Sequence, residues 1–306
     1  MKTIIMAILV IAVVGFVGYF IIKSSPRTAD VAKVEDNVTS TTTPQSDGQT
    51  SGTPVVEKNK AETIIGKSIN ERDIMAYHYG TGDTELLFVG GIHGGYSWNT
   101  SLVAYETLDY LKANPSVVPA NVKVTVIPVL NPDGLYKVVG TAGRFTAGDV
   151  SSSQVVQISG RYNANKVDLN RNFDCDWQSS AKWQNTTVSG GSSVFSEPES
   201  LAIKNYVETE KPKAVVVWYS AAGGVYASSC GSGIMPETST ITNIYAKASG
   251  YPANESFDFY DTTGDMVKWL AKKQIPAISV LLTNHKDTEW TKNQKGIEAL
   301  LKHYAK

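Results

Sequence analysis

The feature that most constrains this chain is an apolar segment near its amino terminus, residues 4–22, which contains no charged residue. It is long enough to cross a bilayer as a helix, and it exceeds the apolar core of most cleaved signal peptides. The segment runs on into Lys23, Ser24 and Ser25, with no small-residue cleavage site directly after it. We therefore predict an uncleaved single-pass transmembrane anchor over residues 1–23, so the folded part must begin later.

A polar tract follows the apolar segment. Residues 24–60 include the run NVTSTTTPQSDGQTSGTP and are rich in Thr, Ser, Asp, Gln and Gly. Such a composition cannot bury enough apolar surface to fold on its own. We predict that residues 24–60 form a disordered stalk, which leaves residues 61–306 for the folded domain.

The side of the membrane on which this domain lies is not fixed by charge. Lys2 lies on one side of the apolar segment and Lys23 and Arg27 on the other, so the positive-inside rule gives nearly equal weight to both orientations. The only two cysteines, Cys175 and Cys230, are compatible with one disulfide in an oxidising compartment, although two free thiols are the alternative. Together with the stalk, this favours a cell-membrane protein whose folded domain is extracytoplasmic.

Residues 61–306 alternate between short apolar runs and amphipathic stretches, which predicts a single α/β/α domain with a mixed, mostly buried central sheet. The predicted strands are residues 86–90, 122–129, 214–218 and 277–282. The predicted helices are residues 99–113, 196–210, 239–249, 263–273 and 288–304, with a capping box from Ser196 to Glu199. The net charge is −1 and the folded part has no run of Lys or Arg, which argues against a nucleic-acid partner.

Five segments, taken in order, resemble the zinc carboxypeptidases related to carboxypeptidase A, and most of all the bacterial members that trim cell-wall peptides. They are GGIHGGYSWNT, NPDG, GRYNANKVDLNRNF, WYSAAGGVYASSC and IPAISVLLTNH. The resemblance extends from about Phe88 to His285, and VDLNRNF after NPDG is its most specific part. It implies an active site at the ends of the sheet strands, where loops converge.

The resemblance also implies one zinc ion held by two His and one Glu, with a second Glu as the general base. His93 matches the first ligand, but the paired Glu falls on Tyr96 or Ser97 and the second His falls on Tyr219. The general-base position is occupied by Leu281, which cannot move a proton. We therefore expect His93 to be vestigial and expect no bound cofactor.

A substitute metal site is the alternative to this loss. His285, Asp133 and Asp168 all lie in matched segments, but their spacing forms no ligand pair of a known type. Zinc is expected only if such divergent ligands do assemble in the fold.

The substrate-binding residues of the family are better matched than its metal ligands. Asn170 and Arg171 correspond to the residues that grip the free carboxylate of the substrate, a task suited to a bidentate guanidinium. Arg161 corresponds to the arginine that polarises the scissile carbonyl, with Arg144 as its rival, and Tyr260 is nearest to the mobile tyrosine that covers the substrate. The alternative for Tyr260 is ordinary loop packing, and the alternative for Asn170 and Arg171 is a loop held by backbone hydrogen bonds without any ligand.

Three functions follow from these residues. The first is a catalytically inactive pseudoenzyme that binds peptide C-terminal carboxylates, with cell-wall stem peptides as one candidate ligand. The second is an active zinc carboxypeptidase with divergent metal ligands. The third is a structural or interaction module in which Tyr96, Tyr219 and Leu281 fill the former metal pocket. Whether the chain is an enzyme is left open by the sequence.

Overall fold

The computed structural model describes residues 61–306. The predicted anchor over residues 1–23 and the predicted stalk over residues 24–60 lie outside the described residues. Between residues 61 and 306, no helix combines the length and the apolar character needed to cross a membrane.

An eight-stranded mixed sheet forms the centre of the domain, in the order β1-β2-β4-β3-β7-β10-β8-β9. The four strands β4, β3, β7 and β10 are parallel neighbours, while β2 and β8 flank them in antiparallel orientation. A separate hairpin is formed by β5 and β6. The strands are β1 Glu62–Lys67, β2 Asp73–Tyr79, β3 Thr84–Val89, β4 Val122–Ile127, β5 Ser180–Trp183, β6 Thr186–Ser189, β7 Ala214–Ser220, β8 Gly224–Ala227, β9 Ala253–Asn254 and β10 Ala277–Leu282.

Helices cover both faces of the sheet. They are α1 Trp98–Ala113, α2 Pro132–Val139, α3 Gln154–Ser159, α4 Pro198–Glu210, α5 Pro236–Ser249, α6 Met266–Lys272 and α7 Trp290–Tyr304. One apolar core joins the sheet to α1, α5 and α7, and a second joins the opposite face to α4 and α6. Short 3-10 turns cover Pro115–Val117, Ala147–Asp149 and Leu169–Arg171. The predicted α/β/α layering with a mixed central sheet is therefore confirmed.

The parallel strands read as continuous apolar runs because side chains on both of their faces are buried. In β3, Leu86 and Phe88 enter one core, whereas Leu87 and Val89 enter the other. Successive side chains of a strand point to opposite faces, so a strand covered on both sides has no polar positions to alternate with. This is why the four predicted strands, all of this type, coincide with β3, β4, β7 and β10.

The predicted capping box at the start of α4 is wrong. The helix begins at Pro198 with Glu197 as its N-cap, and neither Ser196 nor Glu197 caps the first turn with its side chain. The Ser196 hydroxyl donates to Glu197, and the Glu199 carboxylate accepts from Asn163. Tertiary hydrogen bonds to a distant loop have replaced the local pattern that the sequence suggested.

Three of the parallel strands end at the same edge of the sheet. The segment after β3 carries His93, the end of β7 carries Tyr219 and Ser220, and β10 carries Leu281 near its end. The disulfide between Cys175 and Cys230 ties two of the loops at this edge together, which resolves the alternatives that the sequence left for these cysteines. This edge is where a binding site can be built from several loops.

Candidate functional site

A cavity of about 660 Å³ opens at the carboxyl edge of the parallel strands. Its wall includes nine of the residues singled out in the sequence, namely His93, Tyr96, Arg161, Asn170, Arg171, Tyr219, Tyr260, Leu281 and His285. The fold therefore brings most of the predicted site residues into one place.

His93 lies at the floor of this cavity and is only 5% exposed. Its Nε2 atom is 3.5 Å from Asp168 Oδ1, and its ring lies against the ring of Tyr219, with 5.7 Å between the centroids. Burial, followed by the nearby positive charge of Arg161, lowers the pKa of His93 to about 4. The imidazole is therefore neutral near pH 7.

The positions that hold the other metal ligands in the related family carry groups that do not suit zinc. Tyr219 is buried, and burial raises the pKa of its phenol well above the usual value, which keeps it protonated. Burial also raises the pKa of Tyr96, whose ring packs between Trp183 and His285. Ser97 occupies the N-cap position of α1 and is fully buried. None of these three side chains supplies a carboxylate or an imidazole.

The general-base position is equally changed. Leu281 in β10 is the direct partner of Tyr219 across the parallel pair of β10 and β7, and both side chains line the cavity. An alkyl group beside a protonated phenol offers neither a proton acceptor nor a lone pair for a metal. Within residues 61–306, the residues at the family's zinc position therefore do not fit a zinc ion.

The substitute ligands considered from the sequence do not form a set either. Asp133 is held by Ser68 and Arg72, whereas His285 bonds to Ser220. Asp168 does lie beside His93, but these two residues make a pair and not a set of three ligands. Among the described residues, the one group of three metal-binding side chains is Cys175, Asp176 and Cys230, in which the two sulfurs are bonded to each other.

Asp168 and Arg161 form a buried ion pair at the base of the cavity. Arg161 donates through Nε and Nη2 to Asp168 Oδ2, at 2.9 and 2.8 Å. Burial alone would raise the pKa of Asp168, but the Arg161 charge and the neighbouring His93 outweigh this and hold the pKa well below its usual range. The guanidinium also lies 4.3 Å from the ring centre of Trp183. Arg144, its rival in the sequence, pairs with the exposed Asp109 and does not line the cavity.

Arg171 lies in the 3-10 turn Leu169–Arg171. Asp168 is the N-cap of this turn, and its carboxylate accepts a hydrogen bond from the backbone N–H of Asn170. The Nε of Arg171 donates to the carbonyl of Lys182 and its Nη1 to the carbonyl of Asn170. The Nη2 atom is buried and has no hydrogen-bond partner among residues 61–306. Arg171 thus lines the cavity while one of its donors, which is sealed from solvent, stays unused.

Asn170 and Tyr260 are both neighbours of this guanidinium. The Asn170 side chain accepts from Tyr219 Oη and from the backbone of Met266, and it donates to Asp265 at 2.7 Å. The ring centre of Tyr260 is 6.0 Å from the Arg171 guanidinium carbon. Asn170 is therefore largely held by the protein, and Tyr260 is positioned to cover Arg171.

Several cavity residues were not anticipated from the sequence. Trp183 belongs to the β5–β6 hairpin, Asp265 caps α6, and Ser220 bonds to both His285 and Asn99. Only Ser220 carried a local signal, because it directly follows Tyr219 in a matched segment. The others reach the cavity from parts of the chain without a recognisable motif.

A family model described as zinc carboxypeptidase matches residues 57–301. Murein peptide amidase A of Vibrio campbellii is 29% identical over 136 residues, which is 41% of this chain and 51% of that protein. Human carboxypeptidase Z is 31% identical over 122 residues, which is 36% of this chain and 17% of that protein. The chain thus spans about half the length of the first relative and a smaller part of the second.

Solved structures agree on the fold. The murein-tripeptide amidase MpaA from Escherichia coli O157 superposes with a TM-score of 0.58 at 20% identity, covering 84% of this chain and all of that one. Bovine thrombin-activatable fibrinolysis inhibitor, in complex with tick carboxypeptidase inhibitor, gives a TM-score of 0.62 at 16% identity, covering 78% of this chain and 86% of that one. At these identities, the likeness concerns the fold alone.

Proposed function

The chain belongs to the zinc carboxypeptidase family, and we propose that its domain binds the C-terminal carboxylate of a peptide without hydrolysing it. The observation that carries this proposal is the unused Nη2 donor of Arg171, a residue of the cavity wall: this donor is buried, and residues 61–306 supply no acceptor for it. A charged donor that is buried without an acceptor is costly. A ligand carboxylate would supply that acceptor in charge-assisted geometry once the Arg171 side chain turns towards the cavity.

The chemistry of the cavity supports binding rather than hydrolysis. Tyr219, Leu281 and either Tyr96 or Ser97 stand at the positions where the family holds its metal and its base, and none of them can replace those groups. Without a bound metal, no water is acidified at this position. The cavity nevertheless keeps an arginine and an asparagine at the carboxylate end, together with Tyr260 as a cover.

In the proposed arrangement, the chain is a single-pass cell-membrane protein whose extracytoplasmic domain reaches its ligand on a flexible stalk. The apolar segment 4–22 and the polar tract 24–60 support this arrangement. Two of the similar proteins carry names that refer to murein peptides. Cell-wall stem peptides are accordingly our first candidate ligands.

The proposal is tested by binding and metal analysis of the purified full-length chain. We expect no stoichiometric zinc after exposure to zinc and removal of the excess. We also expect a tripeptide with a free carboxylate to bind, and its C-terminal amide to bind at least tenfold more weakly, since a hydrogen bond to a charged group contributes about 1.5–3 kcal/mol.

Arg171→Ala should reduce the affinity for the free-carboxylate peptide by a similar factor. Arg144→Ala is the matched control, because Arg144 is an exposed arginine paired with Asp109 outside the cavity. Arg171→Lys keeps the charge and should give an intermediate affinity, so a folding defect of the alanine variant can be recognised.

Three outcomes would contradict the proposal. One tightly held zinc ion per chain, with release of a C-terminal residue, would favour the active carboxypeptidase. Unchanged peptide affinity in Arg171→Ala would show that Arg171 does not bind the ligand carboxylate. Absence of any peptide binding would favour the structural or interaction module, an interpretation supported by the close packing of Tyr219 against His93.

A further inference from the structure

A chain of hydrogen bonds that the family chemistry does not use runs along one side of the cavity, through Asn99, Ser220 and His285. The amide nitrogen of Asn99 donates to two backbone carbonyls, those of Asn284 at 2.7 Å and Asp287 at 2.9 Å. Only the NH₂ group of an amide can donate to a carbonyl. The orientation of the Asn99 side chain is therefore fixed, with its Oδ1 facing Ser220.

This orientation decides where the Ser220 proton goes. Ser220 Oγ lies 3.1 Å from Asn99 Oδ1 and 3.0 Å from His285 Nδ1. A hydroxyl has one proton to donate, and Asn99 Oδ1 can only accept. Both contacts are hydrogen bonds only when Ser220 donates to Asn99 and His285 Nδ1 carries a proton that it donates to Ser220. In the other tautomer, one of the two contacts would bring lone pairs together.

The imidazole of His285 is also held in its neutral form. Burial, followed by the positive charge of Arg161, lowers the pKa of His285 below its usual value. A neutral imidazole with its proton on Nδ1 has a lone pair on Nε2. His285 is half-buried and lines the cavity, and its Nε2 is neither sealed from solvent nor bonded to any residue between 61 and 306.

We propose that His285 Nε2 is a preset hydrogen-bond acceptor that selects cavity ligands carrying an N–H donor, with its tautomer fixed by Ser220 and Asn99. This inference rests on the proposed function, because the ligand is the same peptide whose carboxylate Arg171 binds. The chemical class it selects is the secondary amide, so an ester or an N-alkylated bond at the same place loses the hydrogen bond.

The tautomer is tested first, without any ligand. Long-range ¹H–¹⁵N correlation spectra of the full chain with ¹⁵N-labelled histidine distinguish the two neutral tautomers, and His285→Gln assigns the signal among the four histidines. We expect the Nδ1–H tautomer in the wild type and a mixture in Ser220→Ala. Ser228→Ala is the matched control, because Ser228 also lines the cavity but donates to the Ala277 carbonyl. An Nε2–H tautomer in the wild type would overturn the inference.

The ligand half is tested with N-acetyl-alanyl-alanine and its two ester analogues, each lacking one amide N–H. The analogue that lacks the N–H bound by His285 should bind the wild type about five- to tenfold more weakly than the dipeptide, because it loses a single neutral hydrogen bond. The same analogue should lose nothing in His285→Phe, which keeps an aromatic ring against Tyr96.

The results separate this inference from the proposed function. If the dipeptide and its esters bind equally, with an affinity that still depends on Arg171, the proposed role of His285 is wrong. The proposed binding of the ligand carboxylate by Arg171 is then retained. An equal loss for the ester in wild type and His285→Phe would likewise refute the acceptor. If the parent dipeptide does not bind at all while the Nδ1–H tautomer is observed, the proposed function fails instead.

Discussion

Replacing Asp168 by Asn should destabilise the domain severely, because Asp168 is the one carboxylate between residues 61 and 306 that pairs with the buried Arg161 guanidinium. Asp168 is 0% exposed and Arg161 is 2% exposed, and the carboxylate accepts both Arg161 hydrogen bonds on one oxygen. Its other oxygen accepts from the backbone of Asn170 and lies near His93. In the Asn variant, Arg161 keeps its charge but loses its partner.

The magnitude follows from the burial of the pair. Removing one partner of a buried ion pair costs about 3–5 kcal/mol, because the other charge remains without compensation. That is a large fraction of the roughly 5–15 kcal/mol by which native domains are stable. Solvent does not screen this pair, so the cost should change little with salt.

Urea denaturation followed by tryptophan fluorescence measures this loss, since all six tryptophans lie between residues 61 and 306. Arg161→Met combined with Asp168→Asn is the decisive partner variant, because it removes the uncompensated charge as well. We expect the double variant to be more stable than Asp168→Asn alone. A loss below about 1 kcal/mol for Asp168→Asn, or additive losses in the double variant, would refute the reasoning.

The ion pair also predicts a pH dependence with a definite sign. The folded-state pKa of Asp168 is held below the value of an unfolded carboxyl, which is about 4. Its contribution to stability is therefore fully present above about pH 4 and is lost as the pH falls below that value. The difference in unfolding free energy between the wild type and Asp168→Asn should shrink over that range.

Two further predictions concern neighbouring residues. His93 has a folded pKa of about 4 and an unfolded pKa near 6.5, so its contribution is complete above pH 6.5 and is lost as the pH falls towards 4. Between pH 6.5 and pH 4, the free energy of unfolding of the wild type should fall by on the order of 3 kcal/mol more than that of His93→Leu. An equal pH dependence of the two unfolding free energies, measured by urea denaturation, would contradict this. Gly264 has a φ of +63°, and an added Cβ would lie 2.2 Å from the Arg171 carbonyl oxygen. Gly264→Ala should therefore weaken both stability and peptide affinity more than Gly140→Ala, which has a similar φ and open space around it; similar melting temperatures and affinities would argue against a close approach at Arg171.

Much of the fold could be predicted from the sequence. Strands were predicted where the side chains on both of their faces are buried. The four buried parallel strands, the four longest helices and α6 were predicted within a few residues, whereas α2 and α3 were missed. The edge strand β1 was missed because three of its six side chains are exposed, and its neighbour β2 was missed because only two of its seven side chains are fully buried. The β5–β6 hairpin was missed as well, because its strands have four residues each and little apolar character.

For the site, the sequence by itself determined which chemical groups are present. A carboxylate or imidazole replaced by Tyr96, Tyr219 or Leu281 is lost in any conformation, so the unsuitability of the family's metal position follows from the residue types alone. The loss depends on the identity of single side chains, and identity is what a sequence records directly.

Only the tertiary structure decided how those groups are arranged. It placed Arg161, not Arg144, at the cavity, left one donor of Arg171 unused, and joined Cys175 to Cys230 across 55 residues. The chain of hydrogen bonds through Asn99, Ser220 and His285 links residues that are 121 and 65 positions apart in the sequence. Hydrogen bonds between side chains depend on distances of a few tenths of an ångström, and such distances between remote residues arise only when the whole chain has packed.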